Sequence, residues 1–131
     1  MENDVRSRKW LVTINNPIDK GFDHNAIKAQ LLLFKNCVYW CMSDEIGKDG
    51  GTYHTHVFIC CSGAVRFSTL KKRFAGSHFD VCKGTAVDNK NYVFKEGKWS
   101  NTEKEDTRVD GMQEEWGECP VERQGQRNDI N

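Results

Sequence analysis

The sequence predicts an α+β fold: one mainly antiparallel five-stranded sheet with helices packed on it. Three observations lead there. Apolar, β-branched stretches alternate with helical patterns in the order β-α-β-β-α-β-α-β. The two central strand candidates are separated only by a short Gly-rich turn, which makes them antiparallel neighbours. The length, 131 residues, corresponds to one domain, enough to bury a core without disulfides or metals as staples.

Lys9-Trp10-Leu11-Val12-Thr13-Ile14 reads as a first strand that ends at Asn15-Asn16-Pro17, a turn signal. Asp23 is placed to cap a helix through Phe34, with Ile27, Leu31 and Phe34 on its apolar face. Cys37 to Ser43 reads as a second strand, Gly47-Lys48-Asp49-Gly50-Gly51 as the turn, and Tyr53 to Cys61 as a third strand. Ser68 is placed to cap a short basic helix in which Leu70 and Phe74 lie one turn apart, and His78 to Val81 forms a short fourth strand. Thr85 and Asp88 have capping-box spacing and open a helix to about Glu96. Lys98-Trp99 reads as the start of a fifth strand, and the polar run after it, SNTEKEDTRVDG, as a linker or a mobile hairpin. The expected division is a folded domain over residues 1–100 and a linker or C-terminal extension over 101–131, with Gln124 to Asn131 as the start of a further region.

Composition narrows the function classes. No stretch approaches the roughly 18 apolar residues of a membrane span, and the polar start, Met1 to Lys9, lacks a signal peptide's apolar run. The expectation is a soluble, intracellular protein. Net charge is zero but uneven: residues 1–98 carry 15 Lys+Arg against 10 Asp+Glu, and residues 99–131 carry 4 against 9. A basic globular part permits a nucleic-acid partner without demanding one. The six cysteines, Cys37, Cys41, Cys60, Cys61, Cys82 and Cys119, lie largely in apolar runs and read as buried free thiols.

Three elements carry chemistry. His54-Thr55-His56 lies on a strand, so alternation turns both imidazoles to one face and Thr55 to the other. Two imidazoles are half of a metal site, although an isolated His-x-His is more often a pair of surface histidines. Cys37-x3-Cys41 ahead of His54 superficially suggests a zinc finger. Its histidines would have to be about one helical turn apart, and the two cysteines fall at even spacing in an apolar strand. Asp44-Glu45 closes the second strand, and Glu45 can approach the histidines if the strands pair. Two imidazoles and one carboxylate leave coordination positions open and suit Mg²⁺ or Mn²⁺. Finally, Tyr92 and Lys95 are three apart on a helix and can meet. A phenol is a poor nucleophile unless activated, and a nearby ammonium favours the phenolate. YxxK alone is weak evidence.

In combination the parts are specific. WLVTINNP, SDEIGKDGGTYHTH and KGTAVDNKNYVFKEGKW resemble the three motifs of the replication initiator (Rep) proteins of circular single-stranded DNA viruses, circovirus-like members of the HUH endonucleases. EEWGECPVERQGQRNDI resembles the stretch leading toward their oligomerisation and helicase region. Two departures stand out: Thr55 replaces the usual hydrophobe between the histidines, and His56 stands where many circovirus-type members have Gln. No GxxxxGK[ST] loop occurs, so this stretch carries no helicase.

The resemblance implies residues 1–100 as a nuclease domain and metal-dependent nicking and rejoining of single-stranded DNA at a stem-loop replication origin. Glu45, His54 and His56 would hold Mg²⁺ or Mn²⁺, with Glu96 as a lesser candidate. Tyr92 would be the nucleophile, Lys95 its partner, and Asp88 a further candidate hydrogen-bond partner of Tyr92. Arg6, Arg8, Lys9, Trp10, Asn15, Lys71, Lys72, Arg73 and Lys83 are candidate DNA contacts. Oligomerisation would use regions beyond this stretch. The expected location is the host nucleus in a eukaryotic host and the cytoplasm otherwise. Two alternatives remain: a non-catalytic, RRM-like module that binds single strands, and a structural zinc domain using the cysteines.

Overall fold

A computed structural model describes residues 4–47, 51–100 and 107–121. The elements are β1 (Arg6–Asn15), α1 (His24–Leu31), β2 (Cys37–Ile46), β3 (Tyr53–Arg66), α2 (Phe67–Arg73), β4 (His78–Val81), α3 (Ala86–Phe94) and β5 (Arg108–Gly117), with 3₁₀ turns at Ile18–Lys20 and Gly97–Trp99. The sheet order is β4-β1-β3-β2-β5, and every neighbouring pair is antiparallel. The expected α+β architecture, a five-stranded sheet carrying helices, is present.

Strand alternation builds two separate cores. On one face Trp10, Val12, Ile14, Trp40, Met42, Val57 and Ile59 pack with Ile27 and Leu31 of α1 and Leu70 of α2. On the other, Tyr39, Cys41, Phe58 and Cys60 pack with Ala86, Val93 and Phe94 around α3. The α3 core begins at Phe58, so the opening of β3, with His54 and His56, lies at its margin.

Several boundaries differ from the sequence reading. Helix α1 has the expected cap, with the Asp23 carboxylate accepting from Ala26 N, but ends at Leu31; Phe34 is buried all the same. Ser68 does not cap α2, whose N-cap position is Arg66. Instead the Asp4 carboxylate accepts from Ser68 N at 2.9 Å and Ser68 Oγ at 2.7 Å, a cap supplied from before β1. The Thr85–Asp88 capping box is present, which commits the Asp88 carboxylate to Thr85 N at 3.2 Å. Helix α3 stops at Phe94 because Lys95 takes the left-handed conformation, φ 57°.

The fifth strand is the main correction. Lys98 and Trp99 belong to a 3₁₀ turn, and the fifth strand is Arg108–Gly117, inside the segment expected as linker. Its charged residues conceal it because alternate ones find partners on opposite faces. Glu114 bonds to His24 Nδ1 (2.6 Å) and Lys28 Nζ (2.8 Å). Glu115 accepts from the Tyr39 hydroxyl (2.7 Å) and faces Lys90 (3.6 Å).

A bulge between Cys37 and Tyr39 also changes the cysteine picture. Cys37 packs on the α1 side and Cys41 on the α3 side, so their even spacing does not put them on one face. All six cysteines are free thiols.

Strand β5 should be part of the cooperative unit. A chain ending at Ser100 would uncover Tyr39, Trp40 and Met42 and strip His24 and Lys28 of Glu114. Losing buried contacts of this kind costs about 2 kcal/mol or more, so the shortened chain should melt roughly 8 °C or more below the full chain. Coincident thermal melts by circular dichroism would show that β5 is dispensable.

Candidate active site

The register of β2 with β3 sets the site. Glu45 is opposite His54, Ser43 opposite His56, and Asp44 opposite Thr55. Partners across an antiparallel pair share a face, so Glu45 joins both imidazoles while Asp44 and Thr55 point to the other side. Glu45 Oε1 is 3.5 Å from His54 Nε2, and Oε2 is 3.1 Å from His56 Nδ1. One donor atom from each of the three residues lies within 4.8 Å of the others.

Behind this trio, Asp44 is 2% exposed. Its carboxylate accepts from Thr55 Oγ1 (2.7 Å), from the Tyr53 hydroxyl, and from His24 Nε2 (2.8 Å), whose other nitrogen faces Glu114. A buried charge is tolerable only when satisfied in this way. Burial opposes ionisation of Asp44, yet the bonds from His24, Tyr53 and Thr55 prevail and hold its pKa below the ordinary value. Thr55 therefore has a defined task between the histidines: its hydroxyl ties β3 to β2 from the back.

The donor set fits a hard divalent cation. Burial works against the Glu45 carboxylate, but bonds from His54, His56 and Lys95 outweigh it and hold its pKa far below the usual range, so it is ionised. Burial lowers the pKa of His56 and keeps its ring neutral. The His54 pKa is raised, chiefly by its bond to Glu45. His54 Nδ1 faces the Thr52 carbonyl at 3.1 Å, and donation there leaves the Nε2 lone pair for an ion, as outer partners of metal-bound histidines do. Among the described residues no thiol belongs to the trio, which favours Mg²⁺ or Mn²⁺ over a thiolate-rich zinc site.

Helix α3 brings Tyr92 against this trio. Its ring centroid lies 5.7 Å from that of His56 and 5.2 Å from that of Trp99, the latter edge-on. Lys95 is 2% exposed. Its left-handed backbone turns the side chain beneath the helix end, where Nζ is 3.7 Å from the Tyr92 ring centroid, 2.9 Å from Glu45 Oε2 and 2.9 Å from the Tyr92 carbonyl. Lys95 and Tyr92 do meet, across the ring face. The expected lowering of the phenol pKa is not found: burial raises it, and Glu45 and Asp80 add to that.

The other candidates spread widely. Asn15 is exposed and opposite His54 on β1. Trp10 is 2% exposed in the α1–α2 core, its Nε1 donating to the Ser7 and Val65 carbonyls, so it offers no face for base stacking. Arg6, Arg8 and Lys9 start β1, at the end away from His54, and Lys83 follows β4 at that same end. Lys9 donates to the Gly84 carbonyl. Lys71, Lys72 and Arg73 lie on α2, which packs on the opposite face of the sheet from the histidines. Glu96 is exposed and outside the trio, and Asp88 serves the helix cap.

Sequence reasoning missed what surrounds the trio. Arg108 pairs with Glu45 across β5 and donates to the Phe94 carbonyl at 3.1 Å. Thr107 Oγ1 lies 3.4 Å from Glu45 Oε1. Trp99 packs on Tyr92. The only signal was the weak alternation of the charged segment after residue 107.

Residues 7–96 match the family model described as "Putative viral replication protein". The chain is 31% identical over 90 residues to the replication-associated protein of Beak and feather disease virus, covering 69% of this chain and 29% of that protein. It is 28% identical over 94 residues to the replication-associated protein of Pigeon circovirus, covering 72% and 28% respectively. The chain thus spans under a third of the relatives it matches.

Two predictions arise from this geometry. Losing an outer partner of a metal site costs roughly 10–100-fold in affinity, and losing a ligand costs more. Glu45→Gln should therefore weaken Mn²⁺ binding by about 100-fold or more, measured by isothermal titration, whereas Asp44→Asn, whose bonds go to Thr55, Tyr53 and His24 and not to the trio, should weaken it by less than about tenfold. The reverse order would mean that Asp44, not Glu45, faces the ion. The second concerns pH. Because the His54 pKa is raised above its ordinary 6.5, chiefly by its bond to Glu45, its proton still competes with an ion at pH 6.5 and somewhat above. Mn²⁺ affinity should rise with pH until His54 is neutral and then level off, with proton release below that point. Titrations in buffers of different ionisation enthalpy read this directly, and affinity that is flat with pH would contradict it.

Proposed function

Because the chain belongs to the viral replication protein family, we propose that it is the nicking domain of a rolling-circle replication initiator, cutting and rejoining single-stranded DNA at a stem-loop origin. The observation that carries this reading is the convergence, from three separate elements, of Glu45, two histidines and Tyr92 at the margin of the α3 core. A module that only binds single strands has no use for a buried carboxylate–imidazole trio beside a tyrosine.

Glu45, His54 and His56 would hold Mg²⁺ or Mn²⁺. The ion would polarise the scissile phosphate and draw off its charge. The chain's own groups do the rest. Tyr92, wedged between the His56 and Trp99 rings, presents its hydroxyl in one orientation and attacks phosphorus in line. As the phenol oxygen bonds phosphorus, the bond from phosphorus to the 3′-oxygen breaks; the tyrosine takes the 5′-phosphate, and the proton the phenol gives up is balanced by the one the departing 3′-oxygen takes up to end as a 3′-hydroxyl. Attack by a later 3′-hydroxyl on the phosphotyrosine reverses these bonds and rejoins the strand. Lys95, after His54 and His56, helps keep Glu45 ionised and braces the Tyr92 ring. Asn15 beside His54 is the candidate DNA contact nearest the trio in the strand register. Arg6, Arg8, Lys9 and Lys83 form a distal, salt-sensitive phosphate contact. In this reading the unit continues through β5, oligomerisation belongs to parts of the full-length protein beyond this stretch, and the site of action is the nucleus where the host is a eukaryote and the cytoplasm otherwise.

The test is covalent trapping. With Mn²⁺ and single-stranded origin DNA, label on the 3′-side fragment should remain with the protein through denaturing electrophoresis, and label on the 5′-side fragment should run free. Tyr92→Phe keeps the ring packing and removes the attacking oxygen. Without a positioned nucleophile the rate should fall about a thousandfold or more while DNA binding persists. His54→Ala and His56→Ala should likewise abolish cleavage and spare binding. Binding without any adduct in the wild type would favour the non-catalytic alternative, and an adduct in Tyr92→Phe would remove Tyr92 from the role.

A further inference from the structure

The hairpin that carries Glu45, His54 and His56 has a second chemical feature at its far end. Cys37, the first residue of β2, stands directly opposite Cys61 of β3 in the register. Directly opposed Cα atoms in an antiparallel pair are about 4.5–5.5 Å apart. That lies inside the roughly 4.4–6.8 Å a disulfide requires. The Cys37 thiol pKa is lowered and that of Cys61 raised, each chiefly by the other thiol, and Cys37 Sγ donates to the Tyr39 carbonyl at 3.5 Å. Both are on the α1 side of the sheet, away from the candidate metal site. Cys61 is buried, at 4% exposure, while Cys37 is partly exposed in a groove that Lys35 also lines.

We propose that Cys37 and Cys61 form a reversible redox site, closed to a disulfide by an oxidised low-molecular-weight thiol of the glutathione-disulfide class. The accessible Cys37 thiolate attacks one sulfur of the small disulfide, forming a mixed disulfide and releasing one thiolate. Cys61 then attacks the Cys37 sulfur, gives up its proton and releases the second small thiol. Two protein thiols are oxidised, one small disulfide is reduced to two thiols, and no other reactant is consumed. The division of labour matches the site: the opposed Cys61 thiol holds the Cys37 pKa below its ordinary value, and nucleophilic attack needs the thiolate. Cys61 is itself raised, chiefly by Cys37 and then by burial, so Cys37 attacks first; Cys41, pushed up to about 12 by burial, stands opposite Phe58 and Glu115 and has no opposed cysteine.

The consequence follows from chain position. A bond between residues 37 and 61 encloses Glu45, His54 and His56 in one covalent loop. It would therefore constrain the unfolded chain at the segment that bears the candidate ligands. The inference is independent of the nicking proposal, since it rests on strand register and thiol chemistry alone.

The experiment treats the folded full chain with glutathione disulfide and reads intact mass and peptide maps. The expected product has lost two hydrogens, links the Cys37 and Cys61 peptides, melts at a higher temperature than the reduced chain, and reverts with dithiothreitol. Cys61→Ser should stop at a glutathione adduct on Cys37, and Cys37→Ser should form neither adduct nor cross-link. A wild type that retains a glutathione adduct at Cys37, cross-links other cysteines, or does not react while folded would overturn the proposal.

Discussion

The pairing of β2 with β3, with Glu45 opposite His54 and Asp44 opposite Thr55, is the constraint on which the rest of the site depends. Side chains alternate along a strand, so a slip of one residue would send each of these groups to the other face. Glu45 would enter the α1 side, and Asp44 would face the imidazoles without the partners that now satisfy it. Apolar residues alone resist such a slip weakly here, because both faces of β2 and β3 are buried over much of their length. The polar groups supply the discrimination. Asp44 can be buried only where Thr55, Tyr53 and His24 converge on it, and only one register delivers them. Removing a partner from a buried charge is costly, while the intact pair adds little net stability. The network thus contributes mainly to uniqueness of register.

The same network reaches the edge of the sheet. His24 links Asp44 to Glu114, and Lys28 adds a second bond to Glu114. Strand β5 is therefore fixed to α1 as well as to β2. Its start carries Thr107 and Arg108 to the trio, Thr107 toward the Glu45 carboxylate and Arg108 onto the carbonyl of Phe94 at the end of α3. The segment that looks least like structure is thus joined to both sides of the site. Arg108 also helps satisfy the C-terminal carbonyls of the helix that bears Tyr92, a role suited to a cation.

Much of this was legible in the sequence, and the failures share a physical cause. Strands with one dominant apolar signal, such as Trp10 to Ile14 and Tyr53 to Cys61, were readable. So were the caps whose donor and acceptor are neighbours in sequence, Asp23 and the Thr85–Asp88 box. The facing of Glu45 and the two histidines was readable because period-two alternation needs no tertiary information. What failed depended on distant partners. Ser68 looked like its own cap because Asp4, which supplies the bond, is 64 residues away. Strand β5 looked like a linker because its charges are neutralised by α1 and α3, which no local window contains. Trp10 looked available for stacking because a strand's two faces are equivalent until the helices are placed. The basic run on α2 misled for the same reason: its charge is visible in sequence, and its side of the sheet is not.

Electrostatics then explains how the trio can be ready before any ion arrives. An isolated carboxylate at the burial of Glu45 would bind a proton, and a protonated carboxyl is a poor ligand. His54 and His56 prevent this first, and Lys95 adds to them. Its ammonium is itself buried, an arrangement tolerable only against a negative partner, and Glu45 at 2.9 Å is that partner. The left-handed turn at residue 95 is the backbone feature that allows it, since a helical Lys95 would continue along α3 instead of turning beneath its end. Such a conformation in a non-glycine residue costs of order 1–3 kcal/mol and persists where surrounding structure demands it. Here the demand is the bond to Glu45, the bond to the Tyr92 carbonyl and the contact with the Tyr92 ring, all made by one ammonium. Lys95 therefore couples the helix that carries the tyrosine to the strand that carries the carboxylate. In this arrangement its charge acts on Tyr92 through position more than through proton affinity, in keeping with a phenol whose pKa stays above its ordinary value.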